Sequence, residues 1–142
     1  MDYRQNILKQ YDNWTLFLHE NQSYLGRCYI WYAHDNPVDM FDADCINLKE
    51  LYDIMREIKR AISKCFSPDM YNYASLNNLI RHLHCHLVPR YNRKVTFNGV
   101  MFEDNNWGGN YAPYPHDFIL PQDTMKTIRE YIQSELKCEV EI

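Results

Sequence analysis

His82-Leu83-His84-Cys85-His86-Leu87-Val88, followed directly by Pro89-Arg90-Tyr91, is the run on which the reading of this chain turns. In an extended strand successive side chains point to opposite faces. The imidazoles of His82, His84 and His86 then share one face, while Leu83, Cys85 and Leu87 share the other. One face is chemical and the other belongs to a core. Polar rings set side by side are costly to bury without water or a function. Histidine titrates near neutral pH, so such a row can supply a nucleophile, a proton donor and an orienting hydrogen bond. A zinc site is the competing reading, because His-x-His pairs on strands are metal ligands and a third ligand leaves a coordination position open.

Outward from this strand, aromatic and β-branched residues predict strands over Trp14–Leu18 and Arg27–Ala33, joined through the polar His19-Glu20-Asn21-Gln22-Ser23. Asn36-Pro37 stops the second of them. From Asn47 to Phe66 the residues Leu48, Leu51, Met55, Ile58, Ile62 and Cys65 recur at helical spacing, with Asn47 and Glu50 resembling an N-terminal cap and Pro68 beyond the end. Met70–Leu76 and Arg81–Arg90 read as two further strands around a short Asn77-Asn78 turn, and 94–103 as another. Residues 105–115 read as a loop and 121–136 as a closing helix carried by Met125, Ile128, Ile132 and Leu136. Antiparallel strands with segregated helices predict an α+β fold. No repeat, low-complexity tract or linker divides the chain, so residues 1–142 read as one domain.

Composition narrows the class. Twelve Tyr, six Phe and three Trp favour a compact sheet-containing protein over a disordered one. A net charge of −4 argues against non-specific wrapping of nucleic acid, so any anion site is local. Arg81, Arg90, Arg93 and Lys94 offer a basic patch near the triad, and solvated strand ends are the plain alternative. Cys28, Cys45, Cys65, Cys85 and Cys138 are odd in number, widely spaced and without a CxxC, which suggests neither a disulfide framework nor a thiolate zinc site and fits a reducing cytoplasm. Residues 1–21 carry charges throughout, and no stretch nears the roughly 20 apolar residues of a membrane span, so a soluble chain is expected.

The triad resembles the His-φ-His-φ-His-φ-φ signature of the histidine triad superfamily of nucleotide hydrolases and transferases. Tyr24-Leu25-Gly26-Arg27-Cys28-Tyr29-Ile30 is similar to that family's upstream strand, the 47–66 helix falls where its central helix does, and Pro89-Arg90-Tyr91 is a common ending. The resemblance covers a core of about residues 14–93, leaving 94–142 as a C-terminal extension. It implies a HIT-like antiparallel sheet of about five strands with a central and a C-terminal helix, and a homodimer with one continuous sheet. It also implies attack by His84 on the α-phosphorus of a nucleotide, giving a nucleotidyl-histidine that water or another acceptor then resolves. His86 would stand nearer the leaving oxygen and His82 would orient the nucleophile, with protonated imidazoles offsetting phosphoryl charge. The expected substrate is a purine nucleotide or dinucleotide, and the leaving group stays open between a nucleotide, as in a diadenosine polyphosphate, and an amine, as in a phosphoramidate. No cofactor is required, although magnesium would enter with a polyphosphate.

Three positions depart from the family pattern. A histidine that often follows the upstream Gly is Arg27 here, read either as a phosphate support or as a solvated strand-edge arginine. In place of a longer Gly-rich loop with a phosphate-contacting Gln, Ser or Thr stands Asn77-Asn78-Leu79-Ile80-Arg81, in which Asn78 would reach phosphate or simply form the turn. His19 falls near the position from which relatives present Asn or Asp to the ribose, with a surface histidine as the better-supported alternative. Trp107-Gly108-Gly109-Asn110-Tyr111 would either close over the second half of a substrate or pack on the sheet edge, and His34 and His116 are read as structural or surface. A non-catalytic nucleotide-binding module remains the main alternative, ahead of a zinc-dependent hydrolase using the triad as ligands.

Overall fold

The computed structural model describes residues 2–136. Five strands form one antiparallel sheet: β1 (Ile7–Gln10), β2 (Trp14–Leu18), β3 (Cys28–Tyr32), β4 (Met70–Ala74) and β5 (His84–Arg90), in the spatial order β1-β2-β3-β5-β4. The main helix α1 (Cys45–Phe66) lies between β3 and β4 in sequence, and α2 (Gln122–Leu136) closes the described chain. The fold is α+β, as the sequence predicts, but its five strands are a different five. Ile7–Gln10 is an edge strand too short and too polar to announce itself. The 94–103 segment does not join the sheet; it folds on itself as β6 (Val95–Phe97) and β7 (Val100–Phe102). Its turn is Asn98-Gly99, with φ of 51° and 77°, the residue pair that best tolerates two left-handed conformations in succession.

Helix α1 starts two residues earlier than expected because Asp44, not Asn47, caps it, its carboxylate accepting from the Ile46 N–H. Asn47 and Glu50 are used elsewhere: the Asn47 carbonyl accepts from the Trp14 indole, and Glu50 accepts from both the backbone and side-chain N–H of Asn13. The helix ends at Ser67, in the left-handed region with φ 49°. Its stripe of Leu51, Ile54, Ile58, Ala61, Ile62 and Phe66 packs on one sheet face, against Leu16, Leu18, Cys28, Ile30, Cys85 and Leu87. Each fully buried aliphatic side chain there contributes about 1.5–3 kcal/mol. Gly26 makes the close approach possible, with φ +86°, and a Cβ there would stand 3.3 Å from Ile62 Cγ2 and Phe66 Cδ2.

The opposite sheet face is covered only in part. Arg90, at the end of β5, is fully buried under the loop between β7 and α2, where its Nε meets Asp104 Oδ2 at 2.6 Å. The same guanidinium donates to Asn72 Oδ1, the Gly109 carbonyl and the Asn106 carbonyl, so the loop is fastened to the sheet at several points. The rest of this face is open and carries the triad.

Candidate functional site

The ladder between β3 and β5 pairs Tyr29 with His86 and Trp31 with His84, so the two imidazoles and two aromatic rings share the open face. Phe17 of β2 continues it, its ring stacked on Tyr29 at 4.9 Å and 5°. His82 does not lie in the strand. The chain bends there, with the His82 N–H donating to the Ile80 carbonyl, and β5 begins three residues later than the Arg81 start the sequence predicts. The His82 ring still reaches the same side by lying flat on Trp31, 4.0 Å between centroids and 7° between planes. Its Nε2 donates to the Tyr32 carbonyl at 2.7 Å. That ring is held by stacking and by one backbone acceptor, not by the pleat.

His84 is the best-oriented of the three. Its Nδ1 lies 2.6 Å from the His82 carbonyl, and a carbonyl can only accept, so the proton sits on Nδ1 and Nε2 keeps a free lone pair. His82 meets the His84 ring through its backbone oxygen. Asn77 fixes the backbone of His84: its Oδ1 accepts from the His84 N–H at 3.2 Å, and its Nδ2 donates to the Val38 carbonyl at 2.9 Å. Asn77 is buried in a left-handed conformation, φ 52°, which asparagine tolerates well. Asn78, the residue singled out from the sequence, is exposed and takes no part. Only register separates the two asparagines, and sequence offers no signal for it.

His86 stands edge-on to His84 with centroids 5.0 Å apart, and His19 approaches His86 from β2 at 5.9 Å. His19 is not the surface histidine expected; its side chain is 13% exposed. Its Nδ1 accepts from the Asn21 N–H at 3.0 Å, which leaves the proton on Nε2. Nor is Arg27 a solvated strand-edge residue, for it is 2% exposed. Its guanidinium lies 4.3 Å from the Tyr114 ring centroid and 5.7 Å from that of Tyr111. The sequence points to Tyr111 only as the end of the Trp107–Tyr111 loop and gives no signal for Tyr114, because both arrive on the long loop. That loop crosses the sheet face, with Tyr24 donating to the Tyr111 carbonyl and Asn21 to the Pro115 carbonyl. Trp107–Tyr111 therefore packs over the face rather than along the sheet edge. His34 and His116 are both exposed.

The electrostatics differ from a row of imidazolium ions. Burial, then the charges of Arg27 and His86, depress the His19 pKa from 6.5 to about 3. Burial, Arg27 and His84 depress His86 to about 4. Both rings are neutral at neutral pH, so the positive charge at this end of the site belongs to the Arg27 guanidinium. The protonated imidazoles expected from sequence are replaced by a fixed cation. Between pH 6.5 and about 4 the unfolded chain binds protons that these two rings refuse, so stability falls as pH is lowered through that window. Urea midpoints should drop on acidification, and less so in His86→Gln. An identical drop in the variant would contradict the neutral assignment.

Tyr3, Phe17, Tyr29, Trp31, His84 and His86 line a pocket of about 360 Å³. Four aromatic rings make an apolar wall, and the free lone pair of His84 borders it. Among the described residues no group of three His, Cys, Asp or Glu side chains is placed to hold a metal ion.

No family model matches the sequence, and no curated protein sequence matches it. Solved structures do match in shape. A histidine triad protein from Sinorhizobium meliloti 1021 superposes with TM-score 0.77 at 15% identity, covering 95% of each chain. A hypothetical histidine triad nucleotide-binding protein from Sulfolobus tokodaii gives 0.67 at 14% identity, covering 92% of this chain and 83% of that one. A zinc-bound histidine triad family protein from Mycobacterium smegmatis gives 0.60 at 16% identity, covering 92% and 82%. At these identities the likeness is one of fold.

Proposed function

We propose that this chain, which has the histidine triad fold, binds a purine nucleotide in the aromatic pocket and attacks its α-phosphorus through His84. The observation that supports the reading is the 2.6 Å bond from His84 Nδ1 to the His82 carbonyl, which leaves Nε2 with a free lone pair on a residue that lines the pocket. In the first step the Nε2 lone pair forms the N–P bond, while the bond from phosphorus to the leaving group breaks and its electron pair leaves with that group. The imidazole becomes cationic and its Nδ1–H still donates to the His82 carbonyl, which favours the charged ring. Neutral His86 donates an N–H to the departing atom. Water then bonds to phosphorus from the same side, the P–N pair returns to Nε2, and a water proton passes to solvent. No metal is needed for these steps, and magnesium would serve only to bind a polyphosphate.

The experiment is a substrate panel with chelator present: dinucleoside polyphosphates, nucleoside phosphoramidates and adenylylated amines, with products resolved and the protein weighed intact after a rapid quench without acid. A mass increase of one nucleotide supports the reading. Binding without adduct or turnover across the panel would favour a nucleotide-binding module. Activity lost on removing about one tightly held zinc per chain and restored by adding it would favour the metal mechanism.

The setting and assembly belong to the same proposal. No helix among the described residues is long and apolar enough to cross a membrane. Cys28, Cys45, Cys65 and Cys85 are free thiols, which supports a reducing cytoplasm. β4 is an edge strand with Tyr73 exposed, and beside it an apolar groove of about 820 Å³ runs between β4 and α1, lined by Met40, Leu48, Leu51 and Met55. An open edge next to an apolar groove is satisfied by a second copy of the chain. Sedimentation at micromolar concentration should give twice the 17.2 kDa chain mass, and a persistent monomer would contradict the pairing.

A further inference from the structure

Two arginines are buried in this fold and their surroundings differ. Arg90, 0% exposed, has Asp104 as its counter-ion and spends Nε and both terminal nitrogens in hydrogen bonds. Arg27 is 2% exposed, and its guanidinium makes one hydrogen bond, at 3.3 Å to the Tyr114 hydroxyl, and no salt bridge to a carboxylate among the described residues. Its Nε and Nη1 are buried without any partner, and so is Nδ1 of His86. A buried charge with unused donors is expensive by several kcal/mol. The chain shows at Arg90 that it can supply a carboxylate when an arginine is structural. At Arg27 it supplies aromatic faces and neutral imidazoles instead, and cationic donors without a counter-ion are completed by an anion.

Along the sheet face the order is Trp31 beside His84, then Tyr29 beside His86, and then Arg27, two residues before Tyr29 and immediately ahead of β3. The attacked phosphorus stands at His84, and Arg27 lies beyond His86, on the far side from the Trp31 end of the pocket. We propose that Arg27, with His86, is the subsite for a second phosphate group, the one released, so that the substrate class is a phosphoanhydride with an anionic leaving group and not an amine phosphoramidate. This rests on His84 being the nucleophile. A fixed cation here stabilises the negative charge that develops as a phosphate departs, and opposes a protonated amine. Tyr111 and Tyr114 close over the guanidinium from the loop rather than from the sheet, so a shift of that loop admits the phosphate without unpairing a strand.

Two measurements on the full chain test this. Inorganic pyrophosphate titrated into the wild type should shift the His86 imidazole resonances and raise the ring's pKa, and Arg27→Met should weaken that binding by about tenfold or more, as loss of a charge-assisted pair does. Arg27→Lys, which keeps the charge and loses the fork, should fall between. In kinetics, the ratio of kcat/KM for a dinucleoside polyphosphate to kcat/KM for a phosphoramidate of the same nucleoside should fall at least about tenfold in Arg27→Met. Pyrophosphate binding unchanged in Arg27→Met, or an unchanged substrate ratio, overturns the subsite. Arg27→Met should not lower the melting temperature, because it removes an unpaired buried charge; a fall like that of a structural arginine would also count against the proposal. If no substrate labels His84 at all, the covalent reading fails, and the pyrophosphate titration still decides the subsite on its own.

Discussion

His84→Ala should abolish turnover and covalent labelling, lowering kcat/KM by about a thousandfold or more, because the proposed mechanism forms its bond to phosphorus at His84 Nε2. The fold should survive. His84 contributes one hydrogen bond to a carbonyl, worth about 1 kcal/mol, and a ring contact with Trp31 at 5.5 Å, while the core-facing neighbours Leu83 and Cys85 stay in place. Nucleotide binding should be nearly intact, since the aromatic wall is untouched. His86→Ala should act differently, slowing departure of poor leaving groups more than good ones, because a hydrogen bond to the leaving atom matters most when that atom carries charge badly. Intact mass and steady-state rates on the same samples check both. Undiminished turnover in the His84 variant would remove the mechanism.

Asp104→Ala should destabilise the fold by about 3–5 kcal/mol, the cost of leaving a fully buried guanidinium without its counter-ion. The two side chains of the Arg90–Asp104 pair are 0% and 1% exposed, so solvent screening does little to soften the loss. At about 2–4 °C per kcal/mol for a chain near this size, the melting temperature should fall by roughly 6 to 20 °C. Replacing both partners by apolar residues of similar volume should recover much of it, which separates loss of the pair from loss of packing. The effect should reach the site, because Arg90 also holds Asn106 and Gly109 and the same loop carries Tyr111 and Tyr114 onto Arg27. Calorimetry of the single and double variants tests the energetics. A drop of less than about 1 kcal/mol would mean that the loop is held by its other contacts.

How much of this was written in the sequence depends on the range of the interactions concerned. Alternation along 82–88 placed His84 and His86 on one face, since the period of an extended chain is a local property. The apolar spacing of α1 and α2 was local too, and both helices are where the pattern put them. The hairpin at Asn98-Gly99 carries a local signal of the same kind, an Asn-Gly pair, within a stretch whose composition reads as one longer strand. His82, Asn77, His19 and Arg27 were settled by contacts between segments far apart in the chain. His82 leaves the strand because Trp31 and the Tyr32 carbonyl hold it. Arg27 and His19 are buried because a loop some 90 residues later in sequence lies across them, with the Asn21 and Pro115 contact spanning 94 positions. Residue type and period alone therefore determined the α+β class, the helices and the face that carries His84 and His86. Tertiary structure alone decided which groups are neutral and where the positive charge resides, because desolvation and Coulomb interactions depend on distances in space that no local pattern records.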